Sequence, residues 1–155
     1  MDYRNMKLGQ VLVSLGYLTK EQVDAALVQQ KETGRRLGQI LLDNNYITED
    51  ELQNALSKML DLPFVDLDNV IIDSSMSEIL PEQLMTAGLL VPIKKEGSVL
   101  TIAIFDPTDL ETIKNVGVYT KLKINCMLAN SKKIRQAIRR IFSTTQAFAA
   151  AKALQ

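Results

Sequence analysis

Histidine and tryptophan are absent from this 155-residue sequence, and cysteine occurs once, at Cys126. Without histidine there is no Ser-His or Cys-His pair, no imidazole metal ligand and no side chain that ordinarily titrates near neutrality. A lone cysteine excludes an internal disulfide and a cysteine-built zinc cage. In its strand context, beside Met127, it reads as a small buried hydrophobe rather than a reactive thiol. No apolar run approaches the ~20 residues of a membrane span, and Met1 to Met6 lack the apolar core of a signal peptide. A cytoplasmic protein with no direct membrane insertion is therefore expected. The phosphate-loop pattern G-x-x-x-x-G-K-[ST] is missing as well, so nothing here is built to hold a triphosphate. The chain is not expected to be an enzyme. What is present is an ordinary globular balance, 46% hydrophobic and 23% charged, enough for one compact domain or two small ones.

Acid is also missing from one whole region. The formal net charge is zero, yet all eighteen acidic residues lie at or before Glu111, against nine basic ones there, a net of −9. From Thr112 onward nine basic residues stand without an acid. The densest stretch is Lys132-Lys133-Ile134-Arg135-Gln136-Ala137-Ile138-Arg139-Arg140. Such a face either neutralises the protein's own acidic part or meets an acidic partner. DNA or RNA is not expected, because the region offers only Tyr119, Phe142 and Phe148 as aromatics and no nucleic-acid motif.

An internal repeat organises the first sixty residues. Residues 7–30, KLGQVLVSLGYLTKEQVDAALVQQ, align with residues 36–59, RLGQILLDNNYITEDELQNALSKM, across a five-residue connector, with eight of 24 positions identical. Each copy reads as a helix, a turn and a second helix. Leu8, Val11, Leu12 and Leu15, or Leu37, Ile40 and Leu41, form an apolar stripe at i, i+3, i+4 spacing. Gly16 and Asn45 occupy the turns, the residue types that best tolerate a left-handed C-cap. Thr19 with Gln22, and Thr48 with Glu51, form capping boxes that open the second helices. Each copy begins with a basic residue, leucine and glycine: Lys7-Leu8-Gly9 and Arg36-Leu37-Gly38. A glycine there costs helix stability, up to about 1 kcal/mol relative to alanine, and is explained if something must approach the backbone closely. Two basic sites related by a repeat suit a ligand with two phosphates, although a duplicated helical bundle alone would also produce the pattern.

This tandem pattern resembles the MshEN domain, the N-terminal domain of many type II secretion and type IV pilus assembly ATPases. The resemblance implies binding of cyclic di-GMP, a regulatory ligand rather than a cofactor. It implies that Lys7 and Arg36 counter phosphate charge or stack on guanine, and that the backbones at Leu8-Gly9 and Leu37-Gly38 approach the ligand. It further implies that Val23, Leu27, Leu52 and Leu56 form an apolar floor, that Gln30 adds a polar contact, and that Asp106 reaches the guanine edge from the second half. Three positions depart from the family pattern: Lys7 stands for arginine, Asn45 for glycine and Met59 for the closing glutamine. Partners implied by the resemblance are a C-terminal ATPase domain or the inner-membrane platform of a secretion or pilus machine, which would place the protein at the membrane periphery. The alternative function is a docking module between motor and platform that uses no nucleotide.

The second half reads as a small α/β unit. Phe64 to Leu67 is a strand candidate, and Ser75-Met76-Ser77-Glu78 opens a helix running from Glu78 to Ala87. Leu89–Lys94 and Ser98–Phe105 form a hairpin around Lys95-Glu96-Gly97. Asp106-Pro107 stops the strand, Thr108-Asp109-Leu110-Glu111 caps a third helix, Lys121–Leu128 is a fourth strand, and Ser131 caps the last helix. Taken alone, Asp106 reads as a turn or cap residue. The fold class is α+β: a tandem helix-turn-helix, all-α subdomain over residues 1–61, a small α/β sandwich over 62–142, and a helical extension or linker over 143–155.

Overall fold

The computed structural model describes the backbone of residues 2–153 and the side chains of residues 2–143. The chain is α+β and divides into two compact units, Met1–Leu62 and Pro63–Gln155.

The first unit holds four helices, α1 (Leu8–Ser14), α2 (Lys20–Thr33), α3 (Leu37–Asp43) and α4 (Glu49–Leu60). Both expected capping boxes form: Thr19 accepts from the Gln22 amide at 3.2 Å and Thr48 from the Glu51 amide at 3.1 Å. Gly16 and Asn45 are left-handed, with φ of 80° and 58°. The copies are not independent hairpins. α1 packs on α4 and α2 on α3, so the first helix of each copy rests on the second helix of the other. Val11, Leu12, Ile40, Leu41, Leu52, Ala55 and Leu56 are buried in the core. Asn54 of α4 donates to the Tyr17 hydroxyl at 2.7 Å, tying the turn of the first copy to the second. Tyr17 thus serves the packing of this unit.

The second unit is built on three strands, β1 (Leu90–Glu96), β2 (Val99–Ile104) and β3 (Lys123–Leu128), in that spatial order. β1 and β2 are an antiparallel hairpin, and β3 pairs parallel to β2 after the crossover helix α6 (Leu110–Thr120). The central strand β2 is buried from Leu100 to Ile104, which is why it reads as a continuous apolar run rather than an alternating one. α5 (Glu82–Gly88) and α7 (Ser131–Ala153) pack against β1.

Five boundaries differ from the sequence expectation. In the hairpin, Lys95 and Glu96 belong to β1, paired with Leu100 and Val99, so the turn is Gly97-Ser98. Phe64–Leu67 is not a strand. Phe64 makes one parallel bridge to Leu128, and the chain then bends because Asp66 Oδ1 accepts from the Asp68 amide at 3.1 Å. The helix expected at Ser75 is split. Asp73, not Ser75, caps a 3-10 turn over Ser74–Glu78, and Pro81, extended at ψ 142°, restarts the chain as α5. A proline disfavours helix in the residue before it, so one continuous helix could not pass. β3 begins at Lys123 because Lys121 is the left-handed C-cap of α6, φ 59°. Asn130, not Ser131, caps α7: its Oδ1 accepts from the Lys133 amide at 2.8 Å. The extension expected over 143–155 is helical backbone to Ala153. Its side chains from 144 and its last two residues lie outside the described residues.

Candidate functional site

Lys7 and Arg36 occupy the N-cap positions of α1 and α3, both in extended conformation. At the first, Gln10 Oε1 accepts from the Lys7 amide at 3.1 Å. Each helix has only seven residues, so the macrodipole adds little and any attraction for an anion rests on side-chain charge. Leu8 and Leu37 follow, one turn before the buried core of each helix.

Gly9 and Gly38 are both buried, and the close approach they permit is internal. A Cβ on Gly9 would lie 2.8 Å from Val23 Cγ1, and one on Gly38 would lie 3.3 Å from both δ-carbons of Leu52. In each copy the second helix therefore presses a branched side chain onto the glycine of the first. Each glycine gives room to the packing of its own copy.

The two copies are not equivalent as sites. In the first, α1, α2 and Leu37 enclose an open groove of about 710 Å³ lined by Lys7, Leu8, Gly9, Gln10, Val13, Ser14, Lys20, Val23, Asp24, Leu27, Gln30 and Leu37. Leu27 is 39% exposed at its floor, with Val13 at 37%. In the second copy, the counterparts Leu52 and Leu56 are 1% and 0% exposed. They belong to the core of this unit and, unlike Leu27, present no open surface. The counterparts of Gln10 and Ser14 are Gln39 and Asp43, and they bind each other, Gln39 Nε2 to Asp43 Oδ1 at 2.8 Å. Asp43 also pairs with Arg35. The Gln39 amide, with the Arg35 guanidinium, holds the Asp43 carboxyl below its ordinary range. The second copy thus carries a carboxylate, engaged in its own polar cluster, where the first has an exposed serine.

Of the sequence-predicted residues, the groove gathers Lys7, Leu8, Gly9, Val23, Leu27, Gln30 and Leu37. Arg36 is exposed at the start of α3, outside the groove lining, and Gly38 lies beneath Leu52. Asp106 belongs to the other unit, where it is 9% exposed and shapes the Asp106-Pro107-Thr108 turn. Its Oδ1 accepts from the Thr108 amide at 2.9 Å and from the Thr108 hydroxyl. The cap of α6 is Asp109, which accepts from the Thr112 amide.

Gln10, Val13, Ser14, Lys20 and Asp24 were not anticipated as site residues. Helical spacing could have found them: Gln10, Val13 and Ser14 share a face of α1, and Lys20, Asp24 and Leu27 lie along one side of α2 at i, i+4, i+7. The groove consequently has two cations, Lys7 and Lys20, from different helices. It also has one carboxylate, Asp24, two side-chain amides, and an apolar floor of Leu8, Val13, Val23, Leu27 and Leu37. That set can neutralise two negative charges, desolvate a flat ring and read hydrogen-bonding edges. Cys126 is half-buried in β3, and burial pushes its thiol up from the ordinary value, keeping it protonated at neutral pH.

The family model described as the MshEN domain matches residues 60–147. Among curated proteins, the type IV pilus assembly ATPase PilB of Myxococcus xanthus (strain DK1622) is 26% identical over 137 residues, covering 88% of this chain. The chain spans 24% of that relative's length. A solved structure of MshE with cyclic di-GMP is similar at TM-score 0.74 and 30% identity, over 88% of this chain and 99% of that one. The N-terminal domain of XpsE is similar at TM-score 0.72 and 19% identity, over 90% of this chain and 96% of that one, a likeness of fold alone. The family match falls mainly on the α/β unit, whereas the MshE likeness extends over most of the chain.

Proposed function

Because the chain belongs to the MshEN domain family, we propose that it is a cyclic di-GMP-binding regulatory module of a secretion or type IV pilus motor, with the ligand seated in the groove of the first repeat. The observation that carries this reading is the pairing of Lys7 and Lys20 across an apolar floor in a cavity of about 710 Å³, a size within the usual range for small-molecule sites. A cyclic dinucleotide is a dianion with two purines. Each lysine meets one negative charge, and the purine faces lie against Leu8, Leu27 and Leu37, where their desolvation costs little. Guanine presents N1–H and an exocyclic amine on one edge, and the Asp24 carboxylate accepts from both.

Arg36 supplies a third basic contact in the reading that the family implies. The module acts in the cytoplasm. A parent protein's ATP hydrolysis is assigned to other residues, and nucleotide occupancy of this module sets how the motor engages its platform.

Calorimetric titration of the full chain with cyclic di-GMP, GTP and ATP at matched salt tests the assignment. One cyclic di-GMP per chain is expected, bound more tightly than either mononucleotide. Lys20→Ala is expected to weaken it by about 1–3 kcal/mol, the range for a charge-assisted contact. No binding of cyclic di-GMP, or equal binding of all three, overturns the function. Unchanged affinity in Lys20→Ala moves the ligand out of this groove.

A further inference from the structure

Cyclic di-GMP is two-fold symmetric, with two identical guanines, whereas the groove proposed for it is not. Across the duplication the counterparts of Lys20, Asp24 and Gln30 are Glu49, Gln53 and Met59. The charge at the first position is reversed, the carboxylate at the second becomes an amide, and the polar group at the third is lost. Gln53 is 3% exposed, whereas Asp24 is exposed along the groove. The repeat therefore supplies no second copy of the group that reads a base. Among the described residues lining the groove, Asp24 is the one carboxylate.

A carboxylate is an acceptor only. Guanine turns two donors toward it on one edge, N1–H and the exocyclic amine, and ionisation of the acceptor strengthens both bonds. Adenine turns the N1 lone pair to the same place and has no amine at C2, so acceptor would face acceptor. The remaining groups of the groove carry no such sign. Gln10 Oε1 accepts from the Lys7 amide at 3.1 Å, which leaves its Nε2 to donate, and N7 accepts in both purines. The Gln30 amide holds a donor and an acceptor side by side and suits either purine by rotating. Leu8, Val13 and Leu27 offer contact to ring faces, which both purines present, and Lys7 and Lys20 answer phosphate charge whatever the bases.

We infer, resting on the ligand class proposed above, that the groove reads one guanine of a cyclic dinucleotide at Asp24 and accepts either purine at the other position. Its ligands are then the guanine-containing cyclic dinucleotides, the mixed guanine–adenine molecule included, and the all-adenine molecule is rejected. A symmetric ligand can bring a guanine to Asp24 in two orientations and a mixed one in a single orientation. That statistical difference favours cyclic di-GMP by only about twofold.

The test is calorimetric titration of the full chain with cyclic di-GMP, 3′,3′-cyclic GMP–AMP and cyclic di-AMP at matched salt, repeated on Asp24→Asn. The mixed ligand is expected to bind within about threefold of cyclic di-GMP, and cyclic di-AMP at least about tenfold more weakly. In Asp24→Asn the amide presents a donor as well as an acceptor, so the guanine ligands should weaken and all three should fall within about threefold of one another. Because Asp24 is exposed, a melting temperature near wild type is expected and shows that the variant is folded. If cyclic di-GMP itself does not bind, the proposed function falls and this inference with it. If it binds while the mixed ligand is at least about tenfold weaker, both guanines are read and the inference alone falls. Equal binding of all three ligands by the wild-type chain, or a guanine preference that survives Asp24→Asn, also overturns it, since Asp24 is then not the reader.

Discussion

Replacing Gly9 by alanine separates the two reasons a glycine can open each repeat. The new Cβ would lie 2.8 Å from Val23 Cγ1, closer than carbon atoms pack, and Val23 is 8% exposed with a stiff, β-branched side chain. Overpacking of this kind costs about 1–3 kcal/mol. Alanine recovers at most about 1 kcal/mol of helix propensity, and less so close to a helix start. Gly9→Ala should therefore destabilise by about 1–2 kcal/mol, and Val23→Ala by about 2 kcal/mol through lost burial and a cavity. In the double variant the added methyl fills space that the valine vacates. Its cost should fall short of the sum of the single costs by about 1 kcal/mol or more. Urea unfolding of the four chains, followed by circular dichroism, measures that coupling directly. Costs that add to within about 0.5 kcal/mol would refute the packing explanation and return the glycine to a role in ligand approach. Gly38→Ala provides an internal scale: its Cβ would meet Leu52 at 3.3 Å, and the contacting atoms are δ-carbons at the end of a more flexible side chain. A smaller loss is expected there than at Gly9.

Asp106→Ala removes the acceptor for the Thr108 amide and hydroxyl at a buried turn. It should cost about 1–2 kcal/mol, or several degrees of melting temperature. Asp106→Asn keeps a carbonyl oxygen there and should melt near wild type; a loss as large as that of Asp106→Ala would show that the turn needs the carboxylate charge. Asp73 accepts from the Ser75 amide at 2.8 Å, which holds its carboxyl below the ordinary 3.8. A depressed folded value stabilises above the unfolded one and is lost as pH falls through the folded one. Asp73→Ala should consequently lower the melting temperature more at pH 7 than at a pH well below 3.8. An equal drop at both pH values would show that the charge contributes nothing.

Much of the local structure was legible because it depends on neighbours in the chain. Capping boxes at Thr19 and Thr48, left-handed turns at Gly16 and Asn45, and the buried β2 run follow from side chains within a few residues of each other. The duplication, the α+β class and the family resemblance were readable for the same reason. The elements that went astray each depend on a competing local bond. Asp66 bends the chain after one bridge at Phe64, Asp73 takes the cap assigned to Ser75, and Asn130 takes the one assigned to Ser131.

The site divides along the same line. A near-symmetric sequence makes Lys7 and Arg36, Gly9 and Gly38, Val23 and Leu52 look equivalent, and spacing alone cannot tell them apart. Burial can. Leu27 remains 39% exposed while its counterpart Leu56 is sealed at 0%, so one copy keeps a groove and the other becomes core. Burial of a side chain depends on surfaces brought together from distant parts of the chain, which no pattern within one repeat encodes. The recruitment of Lys20 and Asp24 into the groove, and the bonds of Lys133 to Asp68 and of Arg140 to the Leu67 carbonyl, were likewise decided only by tertiary packing.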